Sequence, residues 1–220
     1  MTEDQKSQPT MGGRIVRAFT TPIGQHMWPD SEALNQALYA EIMAKETESE
    51  GSQRSNIGGW HSDRDLLLWG TDAVTRLRKR MQKMSKDLTK ATLRGTTGTK
   101  VTFLIEAWAN VSRHGHYNKA HIHPGSHWSG VYYVSVGEPE PGSDYNGALE
   151  FLDPRNAINM VTLPDGSFAE GQRLHPVPGL MVMFPSWLRH TVHPFYGTGE
   201  RISIAFNVRI AAADEAKTED

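Results

Sequence analysis

Between Asp30 and Lys45 the apolar residues Leu34, Leu38 and Ile42 recur at every fourth position. That is the spacing of one face of an α-helix, and Asp30 or Ser31 is placed to cap it. A second helical pattern runs from Ser62 to about Leu88, where Val74, Leu77, Met81, Met84 and Leu88 form one stripe. The basic run RLRKRMQKMSK within it reads as a solvated face. Beyond Arg94 the period changes to two. In VTFLIEAWANVS, Val101, Phe103, Ile105, Ala107, Ala109 and Val111 alternate with Thr102, Leu104, Glu106, Trp108 and Asn110. Further strands are predicted at SGVYYVSV, GALEFL, NMVTL, GLMVMF, TVHPF and RISIAFNVRI, separated by the turns EPEPGSDYNG, LPDGSF and YGTGE.

Short strands separated by Gly/Pro turns, with no helices between them, predict a mainly β fold, a sandwich or barrel with two N-terminal helices packed on one sheet. A chain of 220 residues is long enough for one sizeable core. The expected organisation is a single domain over 14–210, helical over about 30–90 and β over about 100–210. The polar stretches 1–13 and 211–220 are expected to be loosely ordered.

Composition narrows the function. A formal net charge of −2 gives no electrostatic footprint for nucleic acid or an anionic membrane. With no cysteine, disulfides, thiolate ligands and thiol nucleophiles are excluded. No apolar run approaches membrane-spanning length, and MTEDQKSQPTMGG lacks the regions of a signal peptide, so a cytoplasmic protein is expected.

The candidate chemistry lies in the histidines. Five of the 10 fall between His114 and His127, and the run contains an H-x-H at His121 and His123. On an extended strand i and i+2 share a face, about 6–7 Å apart, so two imidazoles can converge on one metal ion. His190 follows a buried-looking strand in PSWLRH and could supply a third. Oxygen-activating iron(II) sites commonly use two histidines and a carboxylate on one face; here His123 occupies the carboxylate position. Neutral imidazole suits Fe, Zn, Cu and Ni alike, so softness does not choose the metal. The bland alternative is that these are loop histidines with ordinary hydrogen bonds, and His114, His116 and His127 fit it better than ligation.

Downstream, Arg201 and Ser203 share a strand face opposite Ile202, Ile204 and Phe206. A guanidinium inside a barrel needs an anion, and a carboxylate matches its fork. Either a ligand carboxylate or an ion pair with Glu106 or Glu150 would serve. Trp108, Trp128 and Tyr133, with His127 beside them, are expected around the pocket. SNIGGWHS (Ser55–Ser62) either covers the pocket mouth or is a helix-entry turn capped by Ser62.

The order of HIHPGSHWSGVYYV, GALEF, LDPR, FPSWLRH and R-x-S, with WAN and SNIGGWHS upstream, resembles the iron(II)/2-oxoglutarate-dependent oxygenases. Specifically it is similar to a family known mainly from bacterial and phage proteins, over roughly Phe19 to Val208. The resemblance implies a double-stranded β-helix, or jelly roll, with iron at its mouth. It implies His121 and His190 as iron ligands and catalytic residues, with His123 as the third metal ligand in place of the usual Asp or Glu. Arg201, assisted by Ser203, would bind the distal carboxylate of 2-oxoglutarate, with Tyr133 and Asn110 as further co-substrate residues. Alternation alone leaves open whether Tyr132 or Tyr133 points inward. The implied activity couples oxidative decarboxylation of 2-oxoglutarate to C–H oxidation of a small-molecule or peptide substrate. A homodimer is compatible with it.

A cupin-type metal barrel is the competing reading. HIHPGS supplies its H-x-H, and Gly179, Pro185 and His190 match a G-x5-P-x4-H frame. Against it, His127 stands where a glutamate is usual and Trp187 where a glycine is. Arg201 and Ser203 favour the oxygenase, because a cupin requires no carboxylate clamp.

Overall fold

The structure, a computed structural model, describes residues 19–92, 101–157, 160 and 171–212. Helices α1 (Glu32–Glu48) and α2 (Asp72–Thr92) lie near the N-terminus. The strands are β1 (Gly24–Met27), β2 (Asn56–Ile57), β3 (Trp60–His61), β4 (Val101–Ser112), β5 (Tyr117–His121), β6 (Trp128–Pro139), β7 (Leu149–Leu152), β8 (Gly171–Leu174), β9 (Leu180–Pro185), β10 (His190–Val192) and β11 (Gly197–Ala212). They form a six-stranded sheet, β1-β9-β6-β11-β4-β3, and a five-stranded sheet, β2-β5-β10-β7-β8. The named strands pair antiparallel throughout, giving the double-stranded β-helix.

Strand alternation divides the larger sheet into two faces. Ile202, Ile204, Phe206 and Val208 of β11, Ala107, Ala109 and Val111 of β4, and Met181 and Met183 of β9 pack against Leu34, Leu38, Ile42, Leu77 and Met81 of the helices. The opposite face meets the smaller sheet: Tyr133, Val182 and Phe184 pack with Leu149, Phe151 and Leu174. The two tyrosines therefore part. Tyr132 turns to the helices, donating to Asn35 Oδ1 at 2.6 Å, while Tyr133 points between the sheets.

Several sequence expectations shift. The second helix begins at Asp72, not Ser62. Residues 66–68 form a 3-10 turn, Gly70 adopts φ +74°, and the Thr71 hydroxyl accepts from Val74 N at 3.2 Å. At α1, Ser31 occupies the cap position but its hydroxyl bonds Trp28 O, while Asp30 pairs with Arg80 at 2.8 Å. Arg80 is thus the member of the basic run that is buried. YGTGE is not a free turn: β11 starts at Gly197 and a register shift between Thr198 and Arg201 takes up the irregularity. The strand also continues through Ala211 and Ala212, two residues into the expected tail. The remainder of that tail, residues 1–13, NMVTL apart from Met160, and all of LPDGSF lie outside the described residues. Among the described residues no helix is long and apolar enough to cross a membrane.

Gly130 of β6 lies against the ring of Phe206, and a Cβ there would run into that ring. Gly130→Ala is expected to cost about 1–3 kcal/mol by overpacking the sheet–helix core. A shift of the denaturant midpoint at unchanged slope would show it.

Candidate metal centre and co-substrate pocket

The pairing of β10 with β5 sets His190 directly opposite His121. Opposed residues on neighbouring strands hold their side chains about 4.5–5.5 Å apart at Cβ, so this register alone brings two imidazoles together. Their ring centroids are 4.3 Å apart. β5 stops at His121, so His123 is not on the strand expected for it. Its backbone N–H instead donates to Ser186 O at 3.0 Å, tying it to the turn before β10. One nitrogen from each of His121, His123 and His190 lies within 4.8 Å of the others. An ion about 2.1 Å from each nitrogen requires separations of roughly 3–4 Å, which small ring rotations supply.

Backbone carbonyls fix two of the rings. His121 Nδ1 lies 2.7 Å from Lys119 O and His190 Nδ1 lies 2.9 Å from Leu188 O. Each Nδ1 must carry the proton it donates, which leaves Nε2 as the lone-pair nitrogen. Phe184 packs edge-on to His190 at 4.7 Å. Among the described residues no hydrogen bond holds the His123 ring; it stacks on His190 at 5.2 Å and leans on Trp108 at 5.9 Å. Burial, then the neighbouring imidazoles, lowers His123 to about 3 and His190 to about 4, and burial lowers His121 as well. At neutral pH all three are uncharged, the state a metal ligand needs. The donor set fits a divalent first-row ion such as iron(II).

These shifts give a pH prediction for the metal-free protein. The unfolded chain takes up protons as the pH falls through 6.5, whereas folded His190 takes one up only near 4. Stability is therefore full above about 6.5 and is lost between there and about 4, by on the order of 3 kcal/mol from His190 alone. Denaturation midpoints measured across that range with a chelator present test this. A flat profile would mean that the imidazoles are not buried as neutral groups.

Beside the histidines lies a cavity of about 340 Å³, lined also by Trp108, Asn110, Tyr133, Arg201 and Ser203. Arg201 is 3% exposed and its Nε has no hydrogen-bond partner. Among the described residues no carboxylate pairs with it. Glu106 accepts from Arg64 at 2.8 Å and Asn207 at 2.9 Å. It sits opposite Asn207, six residues along β11 from Arg201 and roughly 20 Å away. Glu150 turns to the other face of β7 and meets His193 at 2.6 Å. Both ion pairs considered from the sequence are therefore excluded. The Arg201 guanidinium instead lies over the Tyr133 ring, 5.5 Å from its centroid. Burial works against the charge of Arg201 and raises the pKa of the Tyr133 hydroxyl, and each group partly offsets the cost to the other.

Two expected pocket residues are elsewhere. Trp128 is in phase with Tyr132 along β6, so it faces α2, where its indole N–H donates to Thr89 Oγ1 at 3.0 Å. His127 is exposed and its Nδ1 accepts from Ile210 N at 3.1 Å. His114 and His116 also serve the backbone, accepting from Gly197 N and Arg113 N.

The sequence reading missed Arg54, His61, Arg64 and Asn118, which line the cavity. The signal was in SNIGGWHS. Its halves pair with different sheets, Asn56 with Asn118 of β5 and His61 with Asn110 of β4. Gly58 and Gly59 make the crossing at φ +66° and +71°, a conformation natural only to glycine. The segment thus borders the mouth of the cavity. Ser62 caps no helix; its hydroxyl accepts from Ala109 N at 3.0 Å.

Residues 106–207 match the family described as "Putative 2OG-Fe(II) oxygenase". Curated proteins yield no match in sequence. Among solved structures the chain is similar to a Pseudomonas putida prolyl-4-hydroxylase (TM-score 0.58, 20% identity, covering 86% of this chain and 93% of that one). It is also similar to a Trichoplax adhaerens prolyl hydroxylase solved with a hypoxia-inducible-factor peptide (TM-score 0.57, 12% identity, covering 90% and 87%). A third is HygX from Streptomyces hygroscopicus, solved with nickel and 2-oxoglutarate (TM-score 0.54, 12% identity, covering 86% and 83%). At these identities the structures speak for the fold, and the family match speaks for the chemistry. Its span contains His121, His123, His190 and Arg201, and over residues 106–207 the chain matches a 2OG-Fe(II) oxygenase domain, a match that supports iron(II) as cofactor and 2-oxoglutarate as co-substrate.

Proposed function

We propose that the protein is a hydroxylase in which His121, His123 and His190 hold the iron and Arg201 anchors 2-oxoglutarate. The observation that carries this reading is Arg201: a buried guanidinium with an unpartnered Nε, in the same cavity as three neutral imidazoles. Leaving such a charge unpaired is costly, and a dicarboxylate matches it. A cupin-type binder gives that arginine nothing to do.

When bound, iron(II) with 2-oxoglutarate and dioxygen supplies the oxidising power, and the protein supplies position and environment. The Lys119 and Leu188 carbonyls keep the Nε2 atoms of His121 and His190 facing inward. Arg201, with Ser203 and Asn110 beside it in the cavity wall, fixes the distal carboxylate and so the orientation of the co-substrate. Tyr133 closes the floor beneath the guanidinium. Phe184 and Leu149 of the cavity wall exclude water, which strengthens the charge-assisted bonds inside. Three neutral ligands leave the centre one unit more positive than two histidines and a carboxylate, which favours an anionic chelator. The reading extends to a cytoplasmic enzyme acting on a small molecule or a peptide.

The test is calorimetric titration of 2-oxoglutarate into the anaerobic iron(II) protein, followed by aerobic assay for succinate. Saturable binding with slow succinate release is expected before any prime substrate is known. No binding of 2-oxoglutarate to the iron(II) form overturns the proposal in favour of the cupin-like barrel.

A further inference from the structure

Among the described residues the cavity wall carries three arginines, Arg54, Arg64 and Arg201, and no aspartate or glutamate. On the reading above, the charges of iron(II) and the 2-oxoglutarate dianion cancel, and Arg201 is occupied by the co-substrate. Arg54 and Arg64 then remain at the mouth. Arg64 shares Glu106 with Asn207 through one terminal nitrogen, and its guanidinium lies over Trp108 at 5.1 Å. Among the described residues Arg54 pairs with no carboxylate. Its backbone N–H is fixed instead, bonding Asn56 Oδ1 at 2.7 Å where the chain enters β2. The two arginines bracket the mouth segment and converge on His61. Both lie near enough to disfavour its charged form, and His61 stacks on Trp108 with ring centroids 5.5 Å apart. The mouth therefore carries two arginines beside the stacked rings of Trp108 and His61, in the cavity that also holds His121, His123 and His190.

Resting on the oxygenase reading, we propose that the prime substrate is a small molecule bearing a carboxylate or another oxyanion, which Arg54 and Arg64 hold beside Trp108. A cation would meet the charge of Arg54, which no carboxylate offsets among the described residues, and a neutral group would leave that charge unpaired; Arg64, bonded to Glu106 through one terminal nitrogen, keeps its other donors for the same anion. An anion pairs with donors already positioned by β2 and by the stack on Trp108, and arginine suits a planar oxyanion best. Because these residues flank the segment joining the two sheets, the anion would be held at the rim while the rest of the substrate reaches toward the histidines.

The experiment uses the anaerobic iron(II) protein saturated with 2-oxoglutarate and titrates it with benzoate and with benzamide, isosteres that differ in charge. Saturating co-substrate keeps benzoate off Arg201. Benzoate is expected to bind at least tenfold more tightly than benzamide, and R54Q with R64Q is expected to remove most of that preference. Equal affinity for the two probes, no binding of either, or a preference that survives the double substitution would each overturn the proposal. The 2-oxoglutarate titration in the same samples separates the two ideas. Failure there removes the oxygenase reading itself, whereas success there with no preference for benzoate removes the anionic substrate alone.

Discussion

Replacing Arg201 with alanine is expected to lower the affinity for 2-oxoglutarate by roughly 30-fold or more while leaving iron content nearly unchanged. Truncation would remove a charge-assisted, two-pronged contact to a carboxylate with no other cation beneath it. Such losses run on the order of 2–5 kcal/mol when the partner is left buried, and each ~1.4 kcal/mol is tenfold. Iron should stay because Arg201 reaches none of the ligating rings through a hydrogen bond; its nearest aromatic neighbour is Tyr133. Folding should survive, since a buried cation without an anion contributes little to stability in the absence of ligand. R201K is the sharper variant. It keeps the charge but not the planar fork, so it should recover only part of the affinity. Calorimetry on the anaerobic iron(II) protein measures all of these. Wild-type affinity in R201A would remove Arg201 from the co-substrate site.

Much of the fold was legible because its signals are periodic. The stripe Leu34, Leu38, Ile42 and the stripe from Val74 to Met84 do become the faces that meet the sheet. Alternation in RISIAFN put Arg201 and Ser203 on the face opposite Ile202 and Ile204, where the structure has them. Phase was harder than period. Nothing in VYYV says which tyrosine is inward, because β6 is buried on both faces and both positions are apolar enough for either side. The same ambiguity misplaced Trp128, whose indole N–H finds its partner in Thr89 of α2. Short edge strands were invisible for another reason. β2 and β3 are each two residues long, too short for any repeat, and their pairings are set by partners more than 45 residues away. Arg54 and Arg64 were missed with them. Helix α2 was started ten residues too early because LLLWG carries the apolar content of a helix, and Gly70 ends that segment with a positive φ.

His190→Ala is expected to abolish both tight iron binding and succinate formation, and His123→Ala separates a three-histidine site from a two-histidine one. His190 is 4% exposed, fixed by Leu188 O and set opposite His121, so no nearby group can move into its place. Metal sites built from about four ligands bind with roughly 10–16 kcal/mol for zinc, or about 3 kcal/mol per ligand. Iron(II) binds more weakly in the Irving–Williams order, so losing one imidazole should still cost on the order of 2 kcal/mol, roughly 30-fold. His123 differs from the other two in having no hydrogen bond to hold its ring among the described residues, so its part depends on the ion drawing it in. If it is a ligand, H123A should show the same loss of iron, and H123D should restore binding by returning a carboxylate to that position. Should H123A bind iron as the wild type does, the centre would have two protein ligands and the ring would serve only to line the cavity. Retention of iron and of succinate formation by H190A would be the more damaging result. It would mean that the imidazoles converge for packing, and the metal centre would have to be sought elsewhere.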